Sequence, residues 1–566
     1  MQQLSQSKSE LRVWKQLLEA IVFENLLPVS FLSDEKETNI HISGQNVDYI
    51  CRGEWSSFSR FRIFPETIVQ TDKQGNRLPL SLFRLTEGLV PSHAEQSRLL
   101  EELQQTILLC EWNEKHLSFD DRRKLPLEEL DAAVVEGHPY HPCFKARTGF
   151  SVKDHQEFGP ENGKSFQLFW VAVKRKHVRL ALPCEEKRFY EKELGEKTFS
   201  FLLDSLHKRN LSLKDYCLLP VHPWQWKQKL SYEADTNDII PIGSAGDYYH
   251  ASQSVRSLWN KSNKEKATIK LPLNMVNTSS LRTLEPHSIC TAPTISSWLE
   301  KIIQSDAYLK KNVSILKEYA GIVAFEKNDS LCGHVAAIWR ESGTSKLAHE
   351  EEAAPFNALT LYEKDHSLLI APWIETYGLE KWVEQLIQVT IVPVWHLFVA
   401  HGLAVEAHAQ NMILVHRNGW PKRVMLRDFH ESLEYSVDFL KEKALHQDIS
   451  ALHPDYQHAP NDQYYWMSSV EGLRELVMDT LFVFHLSDLS YVLEKEFHFS
   501  EDKFWRLIQV ALENHTFHSS ELKKRAKEIK YTDENIKTES LFTRKISTKK
   551  AEFHHIVKNS LARSGK

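Results

Sequence analysis

Cysteine is sparse in this 566-residue chain: seven residues, with no C-x-x-C pair among them. The odd count and scattered positions argue against a disulfide framework and against a cysteine-built zinc site. No G-x-x-x-x-G-K-[ST] phosphate loop and no G-x-G-x-x-G dinucleotide turn is present. Any bound polyphosphate must therefore be held by side chains rather than by a glycine nest. Positive charge is not in excess. The formal charge of −6 supplies no global field for nucleic acid or an anionic membrane. Repeats and low-complexity tracts are absent, and no Ser-His-Asp or Cys-His nucleophile pair stands out. The N-terminus, MQQLSQSKSELRVWKQLL, has no apolar core of a leader and reads as an amphipathic helix. The longest apolar run, T-I-V-P-V-W-H-L-F-V-A-H-G-L-A-V, is interrupted by Pro393, His396 and His401. It is expected not to span a bilayer. A cytoplasmic protein with no nucleic-acid and no membrane partner is the expectation.

What the chain does contain is an ordinary globular balance, 42% hydrophobic and 26% charged, enough for a large core and two to four domains. Three regions are legible. Residues 1–125 read as largely helical. Residues 126–315 are β-rich, with runs such as F-Q-L-F-W-V-A-V and Y-C-L-L-P-V. Residues 316–566 open with two strands, A-G-I-V-A-F-E and L-C-G-H-V-A-A-I-W-R, joined by K-N-D-S, and become helical after about Tyr435. Residues 379–401 carry a helical apolar pattern that Pro393 should kink and Gly402 should end. The basic tail from about Tyr531 is left open between mobile and docked. The fold class is α/β in the mixed α+β sense.

The stretch V-E-A-H-A-Q-N-M-I-L, Val405–Leu414, puts four polar side chains into an alanine and aliphatic run. Burying them unpartnered is expensive. Read as one extended strand from Leu403 to Leu414, it places Glu406, His408 and Gln410 on one face. Asn418-Gly419 is a strong hairpin signal. Pairing 417 with 420 brings Asp428 back beside Ala409 and Asn411, with Pro421 able to shift the register by one residue. Asn411, Asp428 and Glu406 then offer the hard oxygens that Mg²⁺ takes. The layout parallels phosphoryl-transfer sites, where an Asn and an Asp hold the metals on ATP.

Two further clusters accompany it. K-L-P-L-N-M-V-N-T-S-S-L-R-T-L contains Lys270, Thr278 and Arg282, and Ser254, Arg256 and Ser257 lie just upstream. Cations around hydroxyls suit an anionic ligand, with Arg able to grip it in a fork. G-H-P-Y-H-P-C-F-K-A-R-T-G holds His138, His141, Lys145 and Arg147 on a proline-stiffened turn. That set suits a polycarboxylate or phosphate better than zinc, for which further ligands at a standard spacing are missing. His222, in V-H-P-W-Q-W, reads as a buried structural histidine.

Taken together, G-H-P-Y-H-P-C-F-K-A-R-T-G, H-P-W-Q, K-L-P-L-N…T-S-S-L-R-T and E-A-H-A-Q-N with its downstream R-D-F resemble the siderophore synthetases that work independently of nonribosomal peptide synthetases, the aerobactin-synthetase-like family. The resemblance covers about 130 to 430. It implies a thumb–fingers–palm architecture with a distantly kinase-like palm, and a homodimer. It implies an ATP- and Mg²⁺-dependent ligase that adenylates a carboxylate of citrate or a related acid. An amine or hydroxyl then displaces AMP. By motif position, Lys270, Arg282 and His408 would be catalytic. Ser254, Arg256, Ser257, Thr278 and Gln410 would join them on ATP and its phosphates, and His138, His141, Lys145 and Arg282 would face the acid. Glu406, Asn411 and Asp428 would hold the metal. The family usually reads Arg-Thr where this chain has Arg256-Ser257. Two rival readings share the same residues: a small-molecule kinase, and a non-catalytic carboxylate- or nucleotide-binding protein.

Overall fold

The largest sheet is an eight-stranded one, and its central strands carry the charged residues of interest. Its order is Val178–Ala181, Glu318–Ala324, Val335–Arg340, Thr268–Lys270, Ser257–Asn260, Ile239–Ala251, Phe166–Lys174, Tyr216–Val221, all antiparallel. The computed structural model describes residues 6–90, 92–233, 238–326, 329–517, 519–549, 551 and 553–562. Helix accounts for 43% and strand for 24%, so the mixed α+β reading holds. Tyr216–Val221 is the last strand in this order, and an edge strand is where a proline such as Pro220 is tolerated. The two strands read from A-G-I-V-A-F-E and H-V-A-A-I-W-R pair as expected; Lys327 and Asn328 of their connection lie outside the described residues. Both strands belong to this sheet, so its strands continue through Arg340. Their pairing partners lie far back in sequence, so local composition could not show it.

Helix Pro286–Ser305 covers one face of the sheet and packs on Glu318–Ala324. Gly321 permits the approach; a Cβ there would stand 2.5 Å from the Ile289 carbonyl oxygen. The Ser296 hydroxyl accepts the Glu318 N–H at 3.0 Å. Glu318 is thereby fixed at the start of its strand.

A second sheet, Val313–Ile315, Trp420–Leu426, Met412–Arg417, Glu352–Pro355, holds the expected hairpin. Arg417 pairs with Trp420 across Asn418-Gly419, with Asn418 at φ 51° and Gly419 at φ 82°, as a tight hairpin turn demands. A bulge separates the His416–Pro421 pair from the Val415–Arg423 pair. It shifts the register by one residue and sets Asn411 opposite Arg427: the Arg427 N–H donates to the Asn411 carbonyl at 3.1 Å.

Leu403–Leu414 is not one strand. Leu403–Val405 pairs with Leu433–Tyr435, and the next strand begins only at Met412. Between them the chain turns, because the His408 carbonyl accepts both the Asn411 and Met412 N–H groups, at 2.9 and 3.2 Å. Polar side chains that hydrogen-bond their own backbone compete with a ladder.

Residues 379–401 form the expected helix, in two pieces. A π-helical segment, Ile387–Ile391, joins Leu379–Leu386 to Val392–His401. The widened turns precede Pro393, whose ring would clash with an α-helical carbonyl four residues back. Gly402 ends it with φ 76°. A Cβ at Gly402 would lie 2.3 Å from the Phe439 carbonyl oxygen. Gly402→Ala is therefore expected to destabilise the fold by at least about 1–2 kcal/mol. Urea unfolding measures this, and an unchanged midpoint would contradict the close approach.

This helix, and Val470–Phe497 as well, are long and apolar enough to cross a membrane by length and composition. That corrects the expectation that the interruptions disqualify the first. Both are mostly buried inside the protein, 78% and 72% respectively, which marks them as core helices.

The N-terminal 125 residues also differ from the largely helical reading. Helix Lys8–Phe23 packs on a six-stranded antiparallel sheet, and helix His93–His116 packs on that helix. Its strand Glu37–Ser43 alternates exposed and buried residues, with Ile40 and Ile42 inward. The basic tail docks. Asn535–Glu539 pairs with His554–Lys558, and Glu24 accepts the N–H groups of Phe542 and Thr543 at 2.7 and 2.6 Å.

Candidate active site

Two strand ends and the hairpin meet at Asp428. Lys270 closes Thr268–Lys270, and Arg340 closes Val335–Arg340. Asp428 follows the returning hairpin strand at φ 65°, a left-handed conformation that aspartate tolerates better than most residues with a Cβ. Its Oδ1 receives Arg340 Nη1 at 2.7 Å and Lys270 Nζ at 3.3 Å. Burial alone would raise this carboxyl. The charges of Arg340, Lys270 and Arg427 overcome it and hold the group well below the usual carboxylate range.

His430 lies on the other side of Lys270. Its Nδ1 is 2.6 Å from Glu318 Oε1, and Lys270 Nζ is 3.3 Å from its Nε2. Nδ1 thus carries the proton given to Glu318, and Nε2 accepts from the ammonium. Glu318 Oε2 also accepts the Phe429 and His430 N–H groups, at 3.1 and 3.0 Å. A second support comes from Arg427, which donates to Asp131 Oδ1 at 2.9 Å and to the Gln410 carbonyl at 2.8 Å. The carbonyl of Gln410 thus takes part in the local framework.

The cationic hairpin faces this cluster. Leu273–Asn277 and Ser280–Arg282 pair around Thr278, at φ 56°. Arg282 Nη2 donates to the Asn277 carbonyl at 2.7 Å and the Thr278 hydroxyl at 2.6 Å, and its buried Nε has no partner. Burial, then the neighbouring Arg256 charge, push the guanidinium down to about 9, against partial offsets from Glu406 and Glu431. It stays charged at neutral pH and lacks a paired carboxylate. Arg256 is depressed by burial too, offset by Glu431, Asp428 and Glu318. It donates to the Thr283 carbonyl. Ser254 caps its own turn, accepting the Ser257 N–H at 3.1 Å. The Ser257 hydroxyl is buried and unpartnered.

On the loop between strands, His408 Nδ1 accepts the Gln410 and Asn411 N–H groups at 3.2 and 3.3 Å. The imidazole proton is thereby confined to Nε2, which lies 3.8 Å from Glu406 Oε1. Asn411 Nδ2 donates to the Glu406 carbonyl at 3.2 Å, which orients its amide oxygen. Glu406 Oε2 accepts the Ser432 hydroxyl at 2.6 Å. Glu406, Asn411 and Asp428 are all oxygen donors, the type that Mg²⁺ takes. Glu318, Asp428 and His430 also come within 4.8 Å of one another. That set fits an ion less well, since Glu318 already accepts three N–H groups and both His430 nitrogens are engaged.

The His-Pro turn divides. His138 Nδ1 accepts the Tyr140 and His141 N–H groups at 3.1 and 3.2 Å. Burial, with a further contribution from His408, lowers His138 to about 4. His141 is buried with an unpartnered Nε2 and feels Arg282, so both rings belong to this neighbourhood. Lys145 does not join them. Its ammonium pairs with Glu161 and is 1% exposed. Arg147 grips the same carboxylate at 2.8 Å through both terminal nitrogens. His222 accepts the Trp224 N–H at 3.1 Å and packs on Phe158 and Phe166, a structural position.

The Glu161 carboxyl sits well below its usual range: burial raises it, and Arg147 and Lys145 more than reverse that. A folded value below the unfolded one means the stabilisation is present above about pH 4.3 and is lost as pH falls. Glu161→Gln is expected to cost about 3–5 kcal/mol at pH 7 by leaving two buried cations unpaired. The difference from the wild type should narrow in acid. Urea unfolding across pH tests this, and a pH-independent difference would remove the ion pair as its cause.

Arg340, Glu318, His430 and Glu431 escaped the sequence reading. Period two from Asp428 through D-F-H could have flagged His430. Nothing local flags Arg340 or Glu318, because their roles arise from sheet pairing.

Two family patterns match the chain in succession. The IucA / IucC family pattern matches residues 126–361, and a pattern described as ferric iron reductase FhuF-like transporter matches 380–558. The chain is 34% identical, over 98% of its length and 93% of the relative's, to the citryl-spermidine/3,4-dihydroxybenzoyl-citryl-spermidine:spermidine ligase of Bacillus anthracis. It is 30% identical to an aerobactin synthase of Escherichia coli, over 66% of this chain and 69% of that one. Among solved structures, the petrobactin biosynthesis protein AsbB of Bacillus anthracis str. Sterne superposes with a TM-score of 0.92 at 33% identity, covering 98% and 95% of the two chains.

Proposed function

The chain belongs to the IucA/IucC family of siderophore-making ligases, and we propose that it is an ATP-dependent synthetase joining a citrate-type carboxylate to an amine or alcohol. A carboxylate oxygen attacks the α-phosphorus of ATP, the bond to the β-phosphate breaks, and pyrophosphate leaves. The nucleophile then attacks the acyl carbon of the adenylate, and AMP departs as an amide or ester forms. The name of the Bacillus anthracis ligase favours a citryl acid and a polyamine as the pair.

Each side chain has a part in this reading. Lys270, Arg256 and Arg282 neutralise phosphate or carboxylate, and His408 donates from Nε2 to a phosphate oxygen. Ser254, Ser257 and Thr278 line the same anion path. His138 and His141 face the acid. Such preorganised charge is what adenylation requires, and no covalent enzyme intermediate is needed. Glu406, Asn411 and Asp428 would hold Mg²⁺, which when bound neutralises phosphate oxygens and orients pyrophosphate as the leaving group.

The observation that carries the reading is Arg282: a half-buried guanidinium with its Nε unpartnered and no carboxylate paired to it among the described residues, beside Arg256 and under the influence of Glu406. A site so arranged favours an anion. The test is product analysis with ATP, Mg²⁺, citrate and a polyamine. Pyrophosphate and AMP are expected. ADP would establish the kinase, and binding without turnover would establish a non-catalytic protein.

A further inference from the structure

A second cluster of metal-ligating side chains lies at the C-terminal end of helix Val392–His401, outside the candidate active site. We propose that Asp306, His396 and His401 bind one divalent transition ion of the zinc class. Asp306 caps helix Ala307–Asn312 with one oxygen: Oδ1 accepts the Tyr308 and Leu309 N–H groups at 2.8 and 3.0 Å. Its other oxygen, Oδ2, lies 3.1 Å from His396 Nε2 and 3.1 Å from His401 Nε2.

Those separations have a meaning. An ion held at about 2.0–2.1 Å by tetrahedral ligands spaces them about 3.3 Å apart. Asp306 Oδ2 stands near that spacing from each histidine nitrogen, and the three donor atoms all lie within 4.8 Å of one another. Two imidazoles with one carboxylate form a recurrent transition-metal set that leaves a further position for water. Asp306 keeps 17% of its side chain exposed, while His396 and His401 are 9% and 2% exposed.

The surroundings give one of the two histidines a partner, while the buried Nδ1 of His401 has none among the described residues. His396 Nδ1 faces His515 Nε2 at 2.7 Å, so a metal-bound His396 donates its remaining N–H to that ring and is held in orientation. Tyr308 closes the cluster, its ring 5.0 Å from His396 and 4.7 Å from His515. Gly402 follows at once and leads to Glu406, so an ion here clamps the helix end from which the active-site loop departs.

The test uses the whole chain. Wild-type protein loaded with zinc and dialysed is expected to retain about one ion per chain at this site, with crystals showing a zinc-edge anomalous peak between Asp306 Oδ2 and the two Nε2 atoms. His396→Ala and His401→Ala should each lose that ion, and zinc should raise the wild-type Tm by about 2–4 °C without moving theirs. No peak between the three residues, or equal zinc retention in both variants, overturns the proposal and leaves a purely hydrogen-bonded network. The crystallographic readout stands even if a variant fails to fold. It is also independent of ligase activity, so the two assignments fail separately.

Discussion

Asp428→Asn is expected to lower pyrophosphate formation by about a hundred- to a thousand-fold, the scale of losing one preorganised charge at a reacting centre. In the wild type the carboxylate is shared by Arg340 and Lys270. An amide cannot neutralise either, and it is a poorer ligand for a divalent ion. The same change should cost stability, about 3 kcal/mol, since one partner of a buried pair has gone. The left-handed backbone at Asp428 favours asparagine over alanine as the replacement, because Asn tolerates that region. Single-turnover formation of pyrophosphate separates the chemical effect from the stability loss, provided the variant is assayed below its own Tm. Near-wild-type turnover in a folded variant would remove Asp428 from the site.

Arg282→Ala is expected to cut ATP–pyrophosphate exchange by about ten- to a thousand-fold, one charge-assisted contact to an anion. Arg282 has no carboxylate to satisfy, only the Asn277 carbonyl and the Thr278 hydroxyl. Its removal therefore strands no buried opposite charge, and the fold should tolerate it better than Asp428→Asn. Arg282→Lys should recover only part of the rate, because an ammonium lacks the planar fork. Two results would count against the role: unchanged exchange, or a loss of exchange matched by a loss of folded protein.

These two residues also show how legibility varied along the chain. Arg282 was visible because it stands in a dense local run of cations, amides and hydroxyls. Asp428 was visible through Asn418-Gly419, whose turn geometry propagates a register, and even the one-residue slip at Pro421 could be foreseen. The strand Leu403–Leu414 failed where His408 bonded its own backbone in place of a ladder. Lys145 was chosen for its charge, but Glu161, sixteen residues on, claims it in the folded protein.

By itself the sequence determined what is local: the hairpin turn, the helix end at Gly402, the alternating strands, and the chemical types crowded into three short segments. It also carried enough of those segments in combination to point to one family. Only the tertiary structure decided which charges meet. Arg340 and Glu318 reach the site because antiparallel pairing sets their strands beside and near Lys270, and Asp306 meets two histidines about ninety residues away. Such encounters are set by long-range packing and by the cost of leaving a buried charge alone. Neither leaves a period in the chain.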